Sequence, residues 1–134
     1  MTSMANIENF KLTGLFLFGA VGYGAIEITV RGFTHWTMIL TGGAALVTLY
    51  LLNRQFPDAA FVTKCVAGGF VITIYEFAVG CIVNLWFGWN VWDYSHYPLN
   101  LWGQICPLFT FIWFVLCAIL LLLKNLLHQL AYQV

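Results

Sequence analysis

An all-α membrane protein with four transmembrane helices is the fold class this sequence predicts, and three observations carry that prediction. The chain contains four apolar runs, and a helix crossing a hydrocarbon core of about 30 Å needs about 20 mostly apolar residues. Only 7% of its 134 residues are charged while 62% are hydrophobic, against roughly 25% charged in ordinary soluble domains. The clearest interruptions, 31–36, 53–58 and 87–98, fall between the runs.

Five cations and five anions give zero net charge. A soluble domain of this size leaves much of its surface in water, and so few charges cannot cover it. The composition therefore excludes a soluble enzyme, a disordered tail and a basic nucleic-acid binder. The chain reads as a single transmembrane domain over 1–134, with the lipid bilayer as a partner and no nucleic acid.

The first span is 12–30, interrupted only by Glu27. One cation, Lys11, precedes it and no small-residue cleavage pattern follows, so it reads as a retained helix rather than a signal peptide. Residues 31–36 make a short interfacial turn, and the second span, 33–52, takes Phe33–Trp36 as its first turn. Asn53-Arg54-Gln55-Phe56-Pro57-Asp58 is a polar break with a proline. The third span is 61–86, around Glu76. Residues 87–98 form a loop dense in aromatic rings, and the fourth span is 99–123 with Pro107 inside it. Pro98 is placed to begin that helix, and Ser95 to cap it.

Four spans put both termini and the middle break on one side, which collects Lys11, Arg54, Lys64 and Lys124. The other side holds Arg31 alone. The positive-inside rule then places the N- and C-termini in the cytoplasm and the chain in the cytoplasmic (inner) membrane. Trp36, Trp86, Trp89, Trp92 and Trp102 all fall near the outer face. They read as an interfacial belt, with Trp89 and Trp92 as an added aromatic lid or cation-binding pair. Cys65, Cys81, Cys106 and Cys117 lie in apolar stretches without metal-ligand spacing, so they read as small hydrophobes. Neither a metal nor another cofactor is expected.

A weak internal repeat aligns Glu27 with Glu76. Ala20, Gly24, Glu27 and Arg31 share the spacing of Gly69, Thr73, Glu76 and Gly80, and Asn84 follows. Steps of four and three return to one helix face. Each helix thus carries small residues leading to a carboxylate, suited to close packing and interhelical hydrogen bonds. Thr37, Thr41, Ala44 and Thr48 make a stripe on the second span, and Asn100, Gln104 and Pro107 one on the fourth. These stripes are expected to face inward, as two repeated helix pairs.

An ionised carboxylate at mid-membrane costs roughly 2.5–3.5 kcal/mol on insertion scales. Glu76 sits sixteen residues into a 26-residue run. Glu27 lies one turn before Arg31, the order that favours an i,i+4 ion pair. With Glu27, Glu76 and Asp93 all ionised against Arg31, the local charge would be about −2, costly in low dielectric. Either a proton stays on one acid or a cation binds. The bland alternative is two structural carboxylates, one paired with Arg31 and one protonated and hydrogen-bonded. Asp93, Tyr94 and His96 sit beside Asn100 and Gln104 at the expected mouth of the fourth helix, as ligand groups or as a hydrogen-bonded loop pinning two helices.

This loop resembles the family labelled "Putative ABC-transporter type IV", the CmpB-like permeases. The matching residues are Trp92-Asp93-Tyr94-Ser95, Pro98, Asn100, Gly103, Ile105-Cys106 and Trp113. Gly22-Tyr23, Glu27, Arg31-Gly32-Phe33, Glu76 and Gly80 extend the resemblance over roughly 14–115. Tyr23 stands where the family usually has Trp, and Gly42-Gly43 replaces its proline-rich pattern. The resemblance implies a small multi-span membrane protein of the transport class, with its substrate open. An ABC role implies a separate ATPase chain, since no GxxxxGK[ST] motif is present.

Three functions compete. A permease or carrier would use Glu27, Arg31, Glu76, Asp93, Tyr94, His96, Asn100 and Gln104 to bind an ion or ligand, with a site open to the non-cytoplasmic side and linked to a cation or proton. It predicts a homo-oligomer, because four short helices do not easily enclose a pathway. A non-catalytic assembly or lipid-binding protein is the alternative. A membrane enzyme on a lipid-linked substrate is third, since the sequence shows no paired nucleophile and base.

Overall fold

The computed structural model describes residues 2–133 and is helical, as the apolar runs predict. It contains α1 (Thr2–Arg31), α2 (Trp36–Gln55), α3 (Phe61–Gly80), a π-helical continuation of α3 (Cys81–Trp86) and α4 (Pro107–Tyr132). All four spans are long and apolar enough to cross a membrane. The chain divides into two compact units, Met1–Gln55 and Phe56–Val134, each containing one helix pair.

In the first unit α1 is longer than its expected span. Thirty residues extend about 45 Å, more than a hydrocarbon core requires, because the mixed polar and apolar residues 2–11 include no helix breaker. Hydropathy registers only the membrane part. The extra turns carry Glu8, which pairs with Arg54 at the far end of α2. The helix ends at Arg31, where Gly32 takes φ +80 and donates its N–H to the Ile28 carbonyl at 2.9 Å. That left-handed residue stops the helix. The expected first turn of the second span, 33–35, is therefore loop. α2 starts at Trp36, with the Thr37 N–H directed at His35 Nδ1 (3.3 Å).

The α1–α2 contact is a glycine crossing. A Cβ on Gly42 would lie 2.4 Å from Tyr23 Cβ and 2.8 Å from the Gly19 carbonyl oxygen. A Cβ on Gly43 would lie 2.8 Å from the Phe16 carbonyl oxygen. Backbones approach this closely only where side chains are absent. Of the expected α2 stripe, Thr37 and Thr41 are buried and Ala44 and Thr48 half-buried.

In the second unit α3 and α4 pack antiparallel. Gly69 meets the backbone of Phe114, and the Thr73 and Thr110 hydroxyls lie 2.9 Å apart. Cys65 and Cys117 are buried along this unit. All four cysteines are free thiols.

The fourth helix begins at Pro107, not at Leu99. Pro107 occupies the first turn, where proline's missing N–H has no intrahelical partner to lose. Residues 99–106 instead form a folded segment with an isolated bridge between Leu101 and Ile105. Ser95 and Pro98 consequently neither cap nor begin α4, and Cys106 holds the N-cap position.

Candidate functional site

The second unit contains a loop with a polar core, and its geometry starts in the π turn. Widening the helix over Cys81–Trp86 changes the direction of the side chains that follow, and Asn84 is buried there. Its Nδ2 donates to Gln104 Oε1 at 2.8 Å, and its Oδ1 accepts the Val91 N–H at 2.7 Å. Gln104 Nε2 donates to the Trp102 carbonyl at 2.8 Å, so both ends of that carboxamide are used. Gly80 provides the room: a Cβ there would meet Gln104 Oε1 at 2.6 Å.

Asn100 performs the same task nearer the surface. Its Nδ2 donates to the Tyr97 carbonyl at 2.9 Å and its Oδ1 accepts the Gly103 N–H at 2.9 Å. The Tyr94 N–H reaches the Gly103 carbonyl at 2.7 Å. Irregular backbone is stable next to hydrocarbon only when such groups are satisfied internally. Gln104 and Asn100 thus tie the loop together.

Glu76 lies beneath this loop and is 2% exposed. The Tyr94 hydroxyl donates to its Oε1 at 2.7 Å, and Trp113 Nε1 donates to its Oε2 at 3.0 Å. Tyr94 is held flat against Phe109, with ring centroids 4.3 Å apart and planes 4° from parallel. Tyr97 meets both rings edge-on. These contacts fix the phenol, so its hydrogen bond to Glu76 is preorganised. Tyr94 therefore connects a buried carboxylate to a solvent-facing loop.

Asp93 and His96 are exposed on that loop. Asp93 Oδ1 accepts the Ser95 N–H at 2.8 Å, and Oδ2 accepts the Ser95 hydroxyl at 2.9 Å. These bonds, the backbone one first, hold the Asp93 carboxyl below its usual range, with His96 adding to the effect. A lowered value stabilises the loop fully above the ordinary carboxylate pKa, and the effect disappears as pH falls through the lowered one. The Ser95 amide resonance should therefore shift with an acid midpoint below that of an ordinary aspartate, and Asp93→Asn should abolish the titration. An ordinary midpoint in the wild type would show that the turn does not hold the carboxylate.

Of the two residues expected as an aromatic lid, Trp89 is exposed and stacks on Phe87 at 5.0 Å. Trp92 is 6% exposed, its Nε1 donating to the Gln104 carbonyl at 3.0 Å. It anchors the loop from inside. Trp113, Asn84 and Phe109 belong to the site but are not singled out as site residues by the sequence. A tryptophan in an apolar span was the available signal, because a buried indole N–H needs an acceptor.

The first unit holds Glu27 and Arg31. Glu27 is 5% exposed, and Arg31 Nη1 donates to its Oε2 at 2.8 Å. The i,i+4 spacing accounts for the pair. Arg31 also lies over the Phe33 ring, 4.5 Å from its centroid. The other oxygen, Oε1, is enclosed without a hydrogen-bond partner, as is the Thr34 hydroxyl.

Four apolar spans with buried carboxylates define an integral membrane protein. The chain belongs to the family described as "Putative ABC-transporter type IV" (ABC_trans_CmpB), whose model matches residues 21–134. No curated protein and no solved structure matches it.

Proposed function

We propose that the protein is a small permease in which Glu76 takes up a proton or a cationic ligand from the side of the Tyr94 loop. The observation that carries this reading is the placement of Glu76, almost fully enclosed in an apolar span yet bonded to a loop tyrosine. Intramembrane acids of this kind usually mark ion or proton pathways. Tyr94 donates to the ionised carboxylate and so supports its charged form until a proton or cation is taken up. Asp93, His96, Asn100 and Gln104 shape the approach and hold the loop. In the first unit, Glu27 and Arg31 supply a second carboxylate, already ion-paired.

The Lys and Arg distribution favours cytoplasmic termini in the inner membrane, which turns the Tyr94 loop to the non-cytoplasmic side. Four spans favour a homo-oligomer, and the family's ABC label favours a separate ATPase chain as partner. The closed hydrogen-bond set around Gln104 and Asn84 also suits a non-catalytic assembly role, which is the second reading.

Proteoliposome flux separates the two. Wild-type vesicles should carry protons or a monovalent cation above the protein-free rate. Glu76→Gln should lower that flux at least about tenfold while remaining folded, and Tyr94→Phe should change its pH profile. Equal flux in wild-type and Glu76→Gln vesicles, or none in either, would reject the carboxylate site.

A further inference from the structure

We infer that the surface formed by α3, α4 and residues 99–106 binds an acyl chain of a phospholipid in the leaflet on the loop's side. The antiparallel register of the helices begins the argument. Gly69 faces Phe114 and Thr73 faces Thr110, so Pro107 lies near the level of Glu76. The π turn at the end of α3 runs on to Trp86, ten residues beyond Glu76. α4 therefore starts well short of the end of that continuation, and the non-helical residues 99–106 join its first turn to the loop.

Backbone strain points to the same surface. Leu99 has φ 57 and Trp102 has φ 53, in the left-handed region that favours glycine. Leu99 is 86% exposed, so packing within this chain does not offset its strain, whereas Trp102 packs on the Phe77 ring with centroids 5.7 Å apart. Strained residues persist where the side chain has a use, and here the available use is contact with surrounding hydrocarbon.

Between Leu99 and the helices lies a groove of about 520 Å³, walled by Val66, Phe70, Leu99, Leu101 and Phe111. It is continuous with the exposed apolar faces of two membrane-spanning helices, on which Phe70 and Phe111 lie. Its two hydroxyls do not call for water: Thr73 donates to the Gly69 carbonyl at 2.8 Å and pairs with Thr110. Hydrocarbon is the occupant that fits such a lining, with Leu99 flanking the chain.

Photo-crosslinking tests this in nanodiscs of phosphatidylcholine doped with a phospholipid carrying a diazirine in its acyl chain. Adducts should concentrate on Phe70, Leu101 and Phe111. Val66→Trp, which fills the groove, should lower them about fivefold or more without changing labelling of the exposed Phe18 on α1. Leu99→Gly relieves the backbone, keeps the fold and should lower the same adducts, so the test survives a Val66→Trp variant that does not fold. Adducts spread evenly over the exposed faces of α3 and α4 and indifferent to both variants would overturn the proposal.

Discussion

Replacing Glu76 with alanine is expected to lower the unfolding free energy by roughly 2–6 kcal/mol, measured by denaturant titration in detergent micelles. Two donors, the half-buried Tyr94 hydroxyl and the buried Trp113 Nε1, lose their acceptor together. Each unsatisfied donor costs about 1–3 kcal/mol. Glu76→Gln should recover about half of that loss. Its amide oxygen still accepts from one donor, while its amide nitrogen confronts the other with a second donor. Tyr94→Phe should cost about 1–3 kcal/mol, because Oε1 then loses this donor. An alanine variant as stable as the wild type would show that neither bond is made.

The second large effect belongs to the glycine crossing of α1 and α2. Gly42→Leu should cost about 3 kcal/mol or more, since the added atoms meet backbone as well as the root of Tyr23. Flexible side chains can move aside, but the Gly19 carbonyl cannot do so without separating the helices. Gly22→Ala provides the control. Nothing lies within 4 Å of a Cβ placed there, and alanine is the better helix former by up to about 1 kcal/mol. Thermal unfolding should show a large loss for the first variant and none for the second. Equal stabilities would mean that the two helices do not cross at Gly42.

The four spans were legible because apolar length is the dominant signal in a membrane protein, and it needs no tertiary information. The start of the fourth helix was not. Leu99, Leu101 and Ile105 extend the apolar run, yet Asn100 and Gln104 offer the backbone hydrogen bonds that compete with a helix. Pro107 carried the right information, since proline is favoured in a first helical turn and disfavoured in an interior. Placed inside the span, it concealed the loop.

The site was legible in part. Glu76, Tyr94, Asn100 and Gln104 could be named from their residue types and positions. Their partners could not, because Trp113 and Asn84 matter through contacts with residues 37 and 20 positions away. The Glu27–Glu76 repeat also shows the limit of pattern. Arg31 follows Glu27 by four, but Gly80 follows Glu76 by four, and it leaves room for Gln104 instead of supplying a charge.

The widened turn at Cys81–Trp86 has a consequence for how this chain tolerates changes of length. Inserting a single residue there would turn everything after it by about 100°. Asn84 would then swing out of reach of Val91 and Gln104, although no residue of the polar core had been substituted. Frame-preserving insertions in this stretch should therefore be as damaging as mutations of the contacts themselves, whereas the same one-residue gain near the amino terminus of α1 would only lengthen a protruding end.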